Sequence, residues 1–128
     1  MDGSPRQVDD LASRPHAAGT PDGPTVLIGV DGSPSARRAL RWADRAAREL
    51  GGRVVIAHGI SRPDGRPAST ETGHEARAVA EVIEAEWCGV LRANRTPYSI
   101  EVGVGHTQDV MAQLARRDAP VLRVMGSV

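Results

Sequence analysis

The chain has 128 residues, enough for one domain and too few for two. Hydrophobic residues make up 40% and aromatics 2%, with no Phe, so any core is built from Val, Leu, Ile and Ala, as suits helices packed on a parallel sheet. Formal net charge is zero, which excludes a general attraction to nucleic acid or an anionic membrane surface, and the 16 basic residues, all Arg, read as a compositional bias rather than a functional feature.

Residues 1–24 read as an unstructured tail. Pro5, Pro15, Pro21 and Pro24 punctuate it, and no sustained apolar period offsets its ordering entropy. It carries Asp2, Asp9 and Asp10 and lacks the apolar stretch of a secretory signal. No apolar run approaches the ~20 residues of a membrane span. Cys88 is the one cysteine, so no intrachain disulfide forms. The expectation is a cytoplasmic protein.

The predicted domain begins at Thr25. Val26, Leu27, Ile28 and Val30 make the near-continuous apolar run of a strand covered on both faces. Asp31, Gly32 and Ser33 form the turn that follows, where a parallel α/β sheet usually holds its ligand. Ser33 is placed to cap a helix, with Pro34 at its first position. The helix runs to Leu50 and stops at Gly51-Gly52. Ala36, Leu40, Ala43, Ala47 and Leu50 share one side of it; Arg37, Arg38, Arg41, Arg45 and Arg48 share the other. With Asp44 and Glu49 beside it and no interleaved aromatics, the Arg stripe reads as a solvated face.

A second strand is predicted over Val54–His58, then a polar loop over residues 59–70 and a long helix over 71–94. Ala76, Val79, Ala80, Ile83, Trp87, Val90 and Leu91 fall on one stripe of that helix. Tyr98 to Val104 alternates, as a half-exposed edge strand does. Thr107 is expected to cap a short helix to Arg117, and Val121 to Met125 is a fourth strand. Trp42 and Trp87 read as packing residues, Cys88 as an inert, part-buried thiol. His58 reads as a core or rim histidine; with His74 and His106 it makes no metal motif. No nucleophile–base pair or carboxylate dyad is evident, so no catalytic residue is assigned. The order β-α-β-α-β-α-β specifies an α/β fold with an open parallel sheet and flanking helices.

Val26-Leu27-Ile28-Gly29-Val30-Asp31-Gly32-Ser33, Ala39-Leu40-Arg41-Trp42-Ala43, Gly52-Arg53-Val54-Val55-Ile56-Ala57-His58 and Gly105 together resemble the universal stress protein family, over about residues 25–128. The resemblance implies a Rossmann-like fold of the adenine nucleotide alpha-hydrolase type, with strand order 3-2-1-4-5. It implies ATP or another adenine nucleotide in the crevice between strands one and four. Carried over by position, Val30 and Asp31 sit at the adenine end, with Gly32 and Ser33 beside them. Gly59 stands where the family more often has Val or Ala. Gly126 and Ser127 match the start of a phosphate loop that reads G-x-x-G, a spacer, then G-[ST]. Thr107 stands where the family often has Pro.

After Gly126-Ser127 only Val128 remains, so four strands of the usual five are expected, without the phosphate cradle, the last helix or the last strand. A natural short member, a partner-completed module and a gene fragment remain open. The expected function is a non-enzymatic stress-response module acting by self-association or partner binding, with a dimer formed along the Val121–Met125 edge. The alternative is an adenine-nucleotide sensor with slow ATP hydrolysis. Asp31 has two readings, a contact to the ligand base and a stabiliser of the strand–helix turn.

Overall fold

The computed structural model describes residues 12–15, 23–31, 34–60 and 70–125, with residues 12–15 and 70–72 described by their backbone alone. In chain order the elements are β1 (Ala12–Pro15), β2 (Thr25–Gly29), α1 (Ser35–Leu50), β3 (Arg53–Ile60), α2 (Thr70–Trp87), α3 (Gly89–Ala93), β4 (Tyr98–Val104), α4 (Thr107–Asp118) and β5 (Leu122–Met125). The strands form one sheet in the order β1-β4-β3-β2-β5. The four from β4 to β5 are parallel, giving an α/β open sheet flanked by helices.

β2 lies inside this sheet and is buried along its length. Its alternation divides the protein into two cores. Val26 and Ile28 enter the larger cluster with Leu40, Ala43 and Ala47 of α1 and Ala76, Ala80 and Ile83 of α2. Leu27 points the other way, into a smaller cluster with Val110, Met111 and Leu114 of α4. β3 repeats the division in register: Val54 and Ile56 stand beside Val26 and Ile28, while Val55 stands beside Leu27. A continuous apolar run is therefore two alternating stripes, one for each layer of helices.

Within the predicted tail, Ala12–Pro15 forms a strand. It pairs antiparallel with β4, Ala12 opposite Val102 and Pro15 opposite Ser99. This four-residue strand shows no apolar period because it is held by backbone pairing to β4, which leaves no side-chain signature. Pro15 is tolerated because the strand is an outer one.

That pairing also corrects the reading of β4 as a half-exposed edge. β4 lies between β1 and β3, and its polar residue Glu101 is 3% exposed. Nη2 of Arg117, from α4, donates to Glu101 Oε2 at 3.2 Å. Arg117 also pairs with Asp118, and these two carboxylates, Asp118 foremost, hold the guanidinium above its ordinary pKa. At Glu101 the alternation reflected a buried carboxylate held by a half-buried Arg117, not solvent.

The long helix predicted over 71–94 breaks at Cys88. The carbonyl of Glu84, released by the break, accepts a 2.7 Å hydrogen bond from Nη1 of Arg92. The apolar phase continues through the break, so Leu91 is still buried and the pattern alone reads as one helix. At the start of α1, Pro34 has helical dihedrals and is the cap residue, with no side-chain cap bond; the predicted cap Ser33 lies outside the described residues. Gly51 ends α1 in the left-handed conformation, φ 68°, and Gly52 N donates to the Ala47 carbonyl at 2.8 Å. Leu50, assigned to the apolar side, is exposed there. Trp42, read as a packing residue, is 51% exposed.

Candidate functional site at the carboxyl ends of the strands

α1 leaves β2 on the side of the larger core, and α4 leads into β5 from the side of the smaller one. The chain thus reverses its winding between β2 and β5, whose register runs from Val26 opposite Leu122 to Gly29 opposite Met125. Where the winding reverses, the two connections part and leave a crevice at the carboxyl ends of the strands.

Val30 and Asp31 stand at this end. Val30 is fully buried, and both its backbone groups are engaged. Its N–H donates to the Ala57 carbonyl at 3.0 Å. Its carbonyl accepts from Nδ1 of His58 at 2.7 Å, so His58 braces the end of β2 from the neighbouring strand. Asp31, one residue on, is exposed. A buried strand braced on one side thus leads into an exposed aspartate at the switch point.

Gly59 was expected in a loop and lies within β3, opposite Gly103. Its N–H donates to Thr107 Oγ1 at 3.0 Å. A Cβ at this position would run into the carbonyl of Gly105 and come within 2.6 Å of Thr107 N, all backbone. Glycine is therefore required for the start of α4 to approach β3. The Thr107 hydroxyl serves this contact and does not cap α4, whose cap residue is His106, with no side-chain bond. Of the residues singled out in the sequence, the structure brings Val30, Asp31 and Gly59 to one end of the sheet. Gly32, Ser33, Gly126 and Ser127 lie outside the described residues.

Two side chains have roles that the sequence reading missed. Asp44 is 1% exposed and accepts from Thr96 Oγ1, Asn94 Nδ2 and Arg48 Nε. The signal was available: Asp44 stands four residues from Leu40 and eight from Ala36, inside the apolar phase of α1. Thr107 is the other, and its hydroxyl can bond either its own helix or a neighbour, a choice the sequence does not encode. Cys88 is fully buried, and burial pushes its thiol up to about 12. Among the described residues, no helix is long and apolar enough to cross a membrane.

A family model described as the Universal stress protein family matches residues 24–128. The fold is similar to that of a universal stress protein from Archaeoglobus fulgidus, at 23% identity and a TM-score of 0.59, covering 80% of this chain and 73% of that one. It is also similar to a universal stress protein from Archaeoglobus fulgidus solved in complex with dAMP, at 22% identity and a TM-score of 0.59, covering 83% and 82%. A third similar structure is a universal stress protein in complex with cAMP, at 24% identity and a TM-score of 0.55, covering 79% and 74%. No curated protein matches the chain.

Proposed function

The chain belongs to the universal stress protein family, and on that premise we propose that it is a stress-response module that works by binding an adenine nucleotide. The nucleotide lies in the crevice at the carboxyl ends of β2 and β5. The observation that carries this reading is the placement of Asp31. It is exposed at the switch point of the sheet, directly after Val30, whose carbonyl is fixed by His58. A base seated there finds a carboxylate acceptor on a rigid support. The complexes of similar proteins with dAMP and with cAMP give the class of ligand. The Gly59 N–H is occupied by Thr107, so Gly59 supplies close backbone approach and no donor. The module acts by occupancy and carries out no chemistry on the nucleotide.

Calorimetric titration with ATP, dAMP and cAMP tests the reading. Saturable one-to-one binding of at least one of them is expected, weakened about tenfold in Asp31→Ala by loss of a charged acceptor. No saturable binding of any of the three overturns it, and an unchanged affinity in Asp31→Ala removes Asp31 from the site.

A second reading, self-association, is favoured by a different observation. β5 is an outer strand of the described sheet, and Val121 and Met125, at its two ends, are 56% and 36% exposed. Apolar side chains beside a strand edge that has no partner among the described residues promote pairing with a second copy.

A further inference from the structure

Along one flank of α2 runs an apolar trench of about 280 Å³. Ala78, Val79, Val82, Ile83 and Trp87 line it from the helix, and His58 lines it from the sheet. From Ala78 to Trp87 the helix rises about 13 Å. β3 and α2 run in opposite directions, because a parallel crossover returns the chain to the starting edge. His58, near the end of β3, therefore stands at the opposite end of the trench from Trp87, the last residue of α2. The volume suits a fragment-sized molecule, being just below the range of drug-sized sites.

The chemistry of the trench is narrow. No charged side chain is among its described lining residues, so neither a phosphate nor a cation finds a counter-charge there. Trp87 offers an indole N–H donor, and His58 is the one lining side chain with a hydrogen-bond acceptor; its tautomer follows from geometry. The Val30 carbonyl can only accept, so the His58 nitrogen 2.7 Å away, Nδ1, carries a hydrogen and donates. In the neutral ring Nε2 then holds a lone pair, and among the described residues it has no hydrogen-bond partner. The trench thus presents apolar walls, an indole at one end and one hydrogen-bond acceptor at the other.

We propose that this trench is a second binding site, for a small flat aromatic molecule carrying a single O–H or N–H donor. The molecule lies along Val79, Val82 and Ile83, meets Trp87 with its ring and donates to Nε2 of His58. His58 connects the trench to the strand end beside Asp31, through its bond to the Val30 carbonyl. The proposal goes beyond the nucleotide reading and does not rest on it.

The test uses the full chain and two probes, 2-naphthol and 2-methoxynaphthalene, which differ in the donor. Chemical-shift titration of the isotope-labelled protein is expected to give saturable 2-naphthol binding in the range of roughly 0.1–1 mM. The shifts should centre on His58 and residues 78–87. The donor-free ether should bind about fivefold more weakly, the worth of one hydrogen bond. In His58→Phe, which keeps the ring volume, the two probes should bind alike. Val82→Glu, at a position 53% exposed and so tolerant of the change, should abolish binding of both. Equal affinity of the two probes for the unmutated chain overturns the proposal. So does binding without saturation, or with shifts centred on Trp42 and Val121.

Discussion

The hydroxyl of Thr96 donates a 2.5 Å hydrogen bond to Oδ1 of Asp44, joining residues 52 positions apart. Asn94 Nδ2 donates to the other carboxylate oxygen at 2.7 Å, and Arg48 Nε to the same oxygen at 3.1 Å. One buried carboxylate therefore gathers the turn before β4 onto the face of α1. The turn needs the anchor, because Arg95 within it takes a left-handed φ of 57°.

Asp44→Ala should lower stability by about 2 kcal/mol, since it leaves the buried Thr96 hydroxyl without its acceptor, while the exposed Asn94 amide turns to water. Asp44→Asn keeps one carbonyl for Thr96 but turns a donor towards Asn94 and Arg48, and should fall between the two. Urea midpoints read the series. An unchanged midpoint in Asp44→Ala would show that the turn is held by other contacts.

Thr107→Val should cost about 1–2 kcal/mol, because the shape is kept while the Gly59 N–H loses its acceptor. Thr107→Ser should be near neutral. Amide exchange at Gly59 separates the cases, being faster in the Val variant and unchanged in the Ser variant.

Burial raises the Cys88 thiol from 9.0 to about 12. A group raised on folding contributes stability below its unfolded value and loses it as pH climbs through the folded one. The contribution of Cys88 should therefore fall between about pH 9 and 12, and Cys88→Ala should flatten the stability profile over that window. At pH 8 the native chain should react with a thiol reagent only as fast as it opens. Immediate labelling would show that the site is accessible.

Val124 and Leu122 pack against the larger core, whereas Val121 and Met125 are exposed. Val124→Lys should therefore cost about 2 kcal/mol or more, from burying an ammonium stem without a partner. Val121→Lys with Met125→Lys should leave stability nearly unchanged. Sedimentation of the unmutated chain at tens of micromolar should show dimer or larger species, and the double variant should be monomeric. A monomer in both would remove self-association through β5.

The sequence by itself determined the layered architecture, the alternation of parallel strands and helices, and the strand–helix turn at Val30 and Asp31; that this turn lies where the winding reverses came from the strand order. Those features are written in short-range period: an apolar run bounded by Gly, Asp and Pro, then a clean helical stripe. Only the tertiary structure decided the role of side chains whose partners lie far away in the chain. Glu101 and Asp44 look like solvated residues in a window of a few positions, and they are buried because Arg117, Thr96 and Asn94 arrive from elsewhere. Thr107 had an equally good local use as a helix cap, and the close approach at Gly59 gave its hydroxyl another. β1 carries no side-chain signal, because an added strand is held by backbone bonds available to any residue. Local pattern specifies the elements; a polar group's fate depends on which donor or acceptor the fold brings within about 3 Å, and sequence spacing does not contain that distance.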